Sequence, residues 1–398
     1  MVDLAVPAKI GSLEHQAARG TCVAVKLLSD WRQAAAEWDW SGPAGHHAPF
    51  QHPRWLASWY SAFAETSIEP LVALISDSGN GKQIALLPLI RHRRRGVRIV
   101  EFADLDLTDN NAPLLAAPAR DPAISEAIWP ALRKALRRAP GGVDVIRFRK
   151  MPRTIDGTSN PLASLRAARR SPLNGNLVTC DDDFEAHRFA RGRNERSQLR
   201  RKWRAFASEP SAAFRLVTDR DEALRALDVV ARQQEARMSE LRQRFVLNDG
   251  ANAAFYRDLV SEGVGSGYAT ITVLSVGDEI VAGSLGVRSG RRWTLIRSSM
   301  GSERWLKYSP GILLIDQTMA ALHVQGVREF DFSIGEYDYK RRLGACHVPL
   351  HDLTSALTLR VLPFVARDRL AYQMRQHPQL ANRVRRLFGK PVSREEKS

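Results

Sequence analysis

Two short stretches of this 398-residue chain carry residue types that could do chemistry. The first is residues 308–316, YSPGILLID. A strand running through a Ser309-Pro310-Gly311 turn into a helix leaves the first backbone N–H groups of that helix unpaired and converging on one spot, where the helix dipole favours an anion. Gly311 would let a ligand approach the backbone without meeting a side chain. Ser309, Pro310, Gly311 and Ile312 are the candidate anion-binding residues. The same letters also fit an ordinary capped helix, because Ser-Pro is a common start.

The second stretch is residues 329–344, EFDFSIGEYDYKRRLG. Alternation puts Phe330, Phe332 and Ile334 on one face of a strand and Glu329, Asp331 and Ser333 on the other. Asp331 then sits as a carboxylate in mid-strand, where an unpaired charge is costly and the group is usually paired or functional. Beyond Gly335, the run Glu336, Tyr337, Asp338, Tyr339, Lys340 packs two carboxylates, two phenols and an ammonium into five residues. A solvated helix start with acids first and bases after is the competing reading.

Other patterns do not develop into sites. Ala282-Gly283-Ser284-Leu285-Gly286 approaches a nucleophile elbow but lies within a hairpin strand. Gly263, Gly265 and Gly267 have the wrong spacing for a dinucleotide loop. His46, His47 and His52 fit a polar loop before a helix, and Trp55, Trp59, Tyr60 and Phe63 read as core. Cys22, Cys180 and Cys346 are odd in number and far apart, which predicts free thiols and no structural metal.

The elements that must position these residues come in a repeated order. Periodicity predicts strands at 71–76, 83–91, 97–103 and 143–149, with a helix started by Asp121-Pro122 before the last. It predicts strands again at 269–276, 280–287, 292–299 and 327–334, with a helix capped by Ser309 before the last. The two sets are offset by about 196 residues by the alignment of their turns, which points to two copies of one unit. Helical lead-ins are expected at 53–63, 194–207 and 221–237. Residues 150–182, rich in Ser, Pro, Asn and Arg, read as the boundary. The division expected is a disordered 1–20, an N-terminal domain over 21–180, a C-terminal domain over 181–365 and a basic tail over 366–398. The class is α/β (α+β): two tandem domains, each a mixed, mostly antiparallel twisted sheet flanked by helices.

With 44% hydrophobic and 26% charged residues the chain reads as folded. It shows no signal-peptide pattern and no apolar run near the roughly 20 residues that span a bilayer, so the expectation is a cytoplasmic protein without a transmembrane segment. The net charge of +16 is local: residues 91–98, 185–204 and 366–398 hold the surplus, leaving a nearly neutral body.

In order along the chain, the repeated unit, the S-P-G helix start, F-D-F at 330–332, Gly335 and Y-x-Y-K at 337–340 resemble the GNAT acyltransferase superfamily, in its CelD-like and FemABX-type branch with tandem GNAT-like domains. Phe50-Gln51, Pro53-Arg54-Trp55 and Leu87-Pro88-Leu89 fit that branch too, and the resemblance covers roughly residues 22–365. The R/Q-x-x-G-x-G/A phosphate loop of single-domain members is absent from the sequence.

The resemblance implies direct attack of an amine or hydroxyl on the thioester of acetyl-CoA or another acyl-CoA, in a cleft where strand 292–299 splays from strand 327–334. It implies pyrophosphate binding at Ser309, Pro310, Gly311 and Ile312, with Asp331 or Glu336 as base, Tyr339 as acid and Lys340 stabilising negative charge. The first copy, lacking both motifs, would be scaffold and a wall for a small-molecule or saccharide acceptor, with polysaccharide acylation suggested by the CelD-like likeness. Two alternatives keep the fold. One is aminoacyl transfer from tRNA, as in FemABX relatives; the other is a non-catalytic module whose basic tail contacts an anionic surface.

Overall fold

Pro88 decides how the N-terminal half is built. It lacks the N–H that a ladder needs, so the single strand expected over 83–91 is divided into two that enter different sheets. The computed structural model describes residues 23–40 and 49–376. The expected disorder of 1–20, Cys22, His46, His47 and the tail beyond 376 lie outside the described residues.

A small antiparallel sheet holds β1 (Val23–Leu28), β2 (Val72–Asp77), β3 (Gln83–Leu87) and the pair Leu114–Leu115. Helix α1 (Trp31–Glu37) follows β1, with Asp30 accepting from the Arg32 N–H. Helix α2 (Pro53–Ala62) starts at His52, whose ring accepts from the Arg54 N–H. The large sheet receives β4 (Leu89–Arg94), β5 (Val97–Phe102) and β6 (Val145–Pro152), with α3 (Pro122–Arg137) between the last two. Asp121 caps α3 by accepting from the Ala123 N–H, as expected from the Asp-Pro start.

Residues 150–182, where the boundary was expected, carry regular structure. They contain β7 (Arg169–Thr179), an eleven-residue strand in the middle of the large sheet. Helices α4 (Phe184–Ala190) and α5 (Arg193–Ala207) follow, then β8 (Ala212–Val217), α6 (Arg220–Glu240) and α7 (Gly250–Gly263). Next come β9 (Ala269–Val276), β10 (Glu279–Ser289), β11 (Arg292–Met300), α8 (Pro310–Val324), β12 (Glu329–Asp331), α9 (Asp338–Arg342), β13 (Cys346–Ala356) and α10 (Leu362–Gln376). Helix α10 runs across the expected 365/366 boundary.

The large sheet has eleven strands in the order β8-β9-β10-β11-β12-β7-β13-β6-β5-β4, ending on the pair Glu69–Pro70. All its pairings are antiparallel except β11 with β12 and β5 with β6. Each parallel pair is bridged by a helix, α8 in one half and α3 in the other, which is the expected repeat seen in space. The halves are joined through the sheet itself, because β7 lies between β12 and β13 while β13 pairs with β6. The class is the expected α/β, with mostly antiparallel sheets flanked by helices.

One face of the C-terminal strands packs Leu274, Trp293 and Leu295 against α5 and α8. The other packs Ile271, Val273 and Leu285 against α6, α7 and the N-terminal helix α2. Trp55 and Trp59 of α2 are fully buried there, Trp55 edge-on to Phe255 of α7 at 4.9 Å. These aromatics are core, as expected, and they weld the two halves together. His52 stacks on Tyr268 at 4.1 Å in the same seam. Cys180 is a buried free thiol and Cys346 an exposed one, and no metal-binding cluster occurs among the described residues.

Candidate active site

The sheet opens between β11 and β12. Their parallel pairing covers only Arg292 with Glu329, Trp293 with Phe330 and Thr294 with Asp331. β11 then continues to Met300, whereas the chain after Asp331 turns away. The cause is local: Ser333 takes a left-handed backbone (φ 63°) and ends the expected strand 327–334 early. Its hydroxyl donates to the Leu295 carbonyl at 2.6 Å, fixing the fork at its root.

A cleft of about 940 Å³ lies where β11 runs free. Its walls are the end of β11 (Ser298, Ser299, Met300), the start of α8 (Ser309, Gly311, Ile312), Tyr339 and Arg342 of α9, and the C-terminal part of α6 with Phe245. Of the residues singled out in the sequence, Ser309, Gly311, Ile312 and Tyr339 therefore meet on one cleft; Asp331, Glu336 and Lys340 are not on its walls.

Ser309 differs from the expected cap. It is left-handed (φ 54°), and its side chain makes no capping hydrogen bond; its hydroxyl instead accepts from Lys202 Nζ of α5. The first N–H groups of α8 thus have no side-chain acceptor, and Lys202 stands beside them with no carboxylate partner among the described residues. Pro310 opens the helix, where a missing N–H costs nothing. The space above Gly311 is filled by Met300, whose Sδ would lie 2.9 Å from an added Cβ. Its lack of a side chain serves packing against β11.

Asp331 is buried, and its Oδ1 accepts from the Ser333 N–H at 2.8 Å. Burial raises its pKa, against the opposing pull of Arg292, that N–H and Lys340. Glu336 is exposed and accepts from Asn174 Nδ2 at 3.4 Å. Tyr339 is half-buried, and burial, with Tyr337 beside it, pushes its phenol up to about 12. Lys340 is buried and donates to three carbonyls of its own loop, those of Ser333 at 3.4 Å, Ile334 at 2.7 Å and Gly335 at 3.1 Å. Burial lowers its pKa to about 8 despite Asp109 and Asp331 nearby.

Asp109, on the loop after β5, was not singled out from the sequence. Burial raises its pKa to about 6, with Ser333 and Lys150 opposing and Asp331 and Asp104 reinforcing the rise. Its loop is clamped by a buried network. Asp104 accepts from Lys150 Nζ at 2.9 Å, from Asn111 Nδ2 at 2.8 Å and from the N–H groups of Asp106 and Thr108. Asn111 in turn donates to the Arg149 carbonyl at 3.0 Å. The N-terminal half therefore supplies a carboxylate poised near neutrality to the root of the C-terminal fork.

A splayed parallel pair, a helix start without a side-chain cap and with Lys202 beside it, and a carboxyl whose pKa burial raises to about 6 form a setting for group transfer. Residues 193–341 match the family model of the acetyltransferase (GNAT) domain. The chain matches no curated protein sequence. Among solved structures, the crystal structure of FemX superposes with a TM-score of 0.51 at 9% identity, over 74% of this chain and 90% of that one. A tandem GNAT protein from the clavulanic acid biosynthesis pathway gives a TM-score of 0.44 at 13% identity, covering 84% and 99% of the respective chains. L-PGS from Bacillus licheniformis gives 0.44 at 15% identity, covering 78% and 93%. At these identities the likeness to FemX is one of fold. No helix among the described residues is long and apolar enough to cross a membrane.

Proposed function

We propose that the protein transfers an acyl group from an acyl-CoA to an amine or hydroxyl by direct attack, in the cleft opened by the β11–β12 fork. The observation that carries this reading is the meeting of the uncapped start of α8, Lys202 and Tyr339 around that opening. The N–H groups at Gly311 and Ile312, with Lys202, suit the pyrophosphate of the donor. A backbone N–H of the unpaired part of β11 would hold the oxyanion as the carbonyl carbon becomes tetrahedral.

The acceptor must lose a proton as its nitrogen or oxygen bonds to the thioester carbon, and the departing thiolate must gain one when the C–S bond breaks. Asp109 is the candidate base preferred over Asp331 or Glu336: burial raises its pKa to about 6, which lets it be ionised yet still basic near neutrality, whereas Glu336 faces solvent and Asp331 is buried and held by the Ser333 N–H. Tyr339, on the cleft wall and protonated up to about pH 12, is the acid. Lys340 acts by holding the 333–335 loop. A thiol-release assay with acetyl-CoA and longer acyl-CoAs across amines, amino sugars and hydroxyl acceptors tests the reading; neither release nor thermal stabilisation by CoA would reject it.

A second reading, aminoacyl transfer from tRNA, is favoured by one observation. The exposed Arg193, Arg200, Arg201 and Arg204 on α5 form a basic helix adjoining Lys202, long enough to follow a nucleic-acid backbone. Tighter binding of aminoacyl-tRNA than of CoA at physiological salt would make this the function.

A further inference from the structure

Arg297 is a buried charge without a counter-charge. The other lysines and arginines buried among the described residues are satisfied: Arg147 by Glu101, Lys150 by Asp104, and Lys340 by three carbonyls. Arg297, 3% exposed, has only neutral partners. Its Nε donates to Gln234 Oε1 at 2.7 Å and one Nη to Asn248 Oδ1 at 2.9 Å, and its guanidinium lies 4.6 Å from the centre of the Tyr256 ring. Those two bonds use two of its five N–H groups. The amides are themselves fixed, Gln234 by donating to the Ser298 carbonyl and Asn248 by donating to the Ala231 carbonyl. A cation so rigidly held and so poorly neutralised is expensive to bury, and the missing partner is an anion.

Its position says which anion. Arg297 lies on β11 three residues beyond Thr294, the last residue paired to β12, so it belongs to the free part of the fork. Gln234 and Phe245, which hold it, line the cleft. Tyr256, under its guanidinium, is close enough to Asp109 to feel that carboxylate. An anion that partners Arg297 would therefore be part of a molecule bound in this cleft, on the side of the fork nearest Asp109. We infer that the acceptor carries an anionic group, a carboxylate or a phosphate, which the remaining N–H groups of Arg297 grip while its amine or hydroxyl faces Asp109. This rests on the transfer reading above and adds the substrate class to it.

The test uses the full chain and matched probes that differ only in the anion: L-lysine against cadaverine for carboxylate, glucosamine 6-phosphate against glucosamine for phosphate. Calorimetric binding and thiol release from acetyl-CoA are both measured. The expected result is at least a tenfold preference for the anionic member of one pair, which names the anion. It should be abolished in Arg297→Gln and reduced in Arg297→Lys, which keeps the charge but loses the fork. A folded Arg297→Gln with the wild-type preference, or a wild-type protein with no preference in either pair, overturns the inference. If Arg297→Gln does not fold, an unchanged preference in Arg297→Lys overturns it equally. Anion preference in binding with neither thiol release nor thermal stabilisation by CoA would reject the acyl-CoA donor and leave the anion site standing; release without preference would do the reverse.

Discussion

Lys340 Nζ donates to the carbonyl oxygen of Ile334 at 2.7 Å, six residues back along its own chain. With the bonds to Ser333 and Gly335, this turns a lysine at the end of a catalytic-looking motif into the clamp of the loop that ends β12. Lys340→Ala would leave three carbonyls facing an empty space where an ammonium stood, and charged hydrogen bonds of this kind contribute about 1.5–3 kcal/mol each at most. The variant is expected to lose about 2–4 kcal/mol of stability in denaturant titration and to lose turnover with it. A variant as stable as the wild type but a hundredfold slower would instead show direct participation in the chemistry.

Much of the fold could be read from local rules, and the exceptions have identifiable causes. The starts of α3 and α8 were visible because Asp-Pro and Ser-Pro act within one turn. β7 was not, because Pro172, Asn174 and Gly175 disfavour a strand; it exists through neighbours on both edges, with an irregular register between Arg170 and Asn174 to accommodate those residues. The candidate site was half legible. Ser309, Gly311, Ile312 and Tyr339 are close in sequence to the elements that bring them together. Asp109 and Arg297 gave no signal. Asp109 sits in a polar loop, Arg297 in an ordinary strand pattern, and each acquires meaning only when α2 and α7 pack the halves against one another.

The Asp109 carboxyl sets an expectation for pH dependence. Its pKa is raised from 3.8 to about 6, so it is protonated below that value and able to accept a proton above it. The log of kcat/KM should rise with unit slope up to about pH 6 and level off beyond. Asp109→Asn should remove that limb and lower kcat by ~100-fold or more, the usual share of a general base. Because folding raises this pKa, the folded chain holds the proton more tightly than the unfolded chain. The group's contribution is therefore most favourable below 3.8 and declines as pH rises through about 6. Asp109→Asn is thus expected to be at least as stable as the wild type at pH 7, and a marked loss of stability there would contradict the assignment.

Asp144 behaves in the opposite sense. It accepts from the backbone N–H and guanidinium of Arg98, from Thr358 and from Arg360. Despite the cost of burial, these bonds hold its pKa well below the ordinary carboxylate range. Its contribution is present above the unfolded value near 3.8 and is lost as pH falls through the depressed folded value. The group ties β5 and β6 to the segment entering α10, and its arginine partners reach solvent, so Asp144→Ala should cost about 1–3 kcal/mol, the loss of charge-assisted hydrogen bonds. Limited proteolysis should then cut first near residues 357–362. Equal protease resistance in variant and wild type would show that α10 is anchored elsewhere.

The pairing of Lys202 with Ser309 leads to a separation of binding from chemistry. Lys202 approaches the start of α8 from α5, and among the described residues its side chain donates to the Ser309 hydroxyl, which a donor phosphate can replace. Removing the ammonium takes away attraction for a polyanion in both ground and transition states alike, which raises KM and leaves kcat in place. Lys202→Ala is expected to raise the KM for acyl-CoA about tenfold, the cost of roughly one charge-assisted hydrogen bond, with kcat changed less than threefold. The Lys202 contribution should also fade as salt is raised, since a half-buried lysine at a cleft mouth is screened by added ions. Steady-state kinetics at two ionic strengths would show the wild-type KM climbing toward that of the variant. If KM is unaltered in Lys202→Ala at low salt, the donor phosphates do not lie at the start of α8.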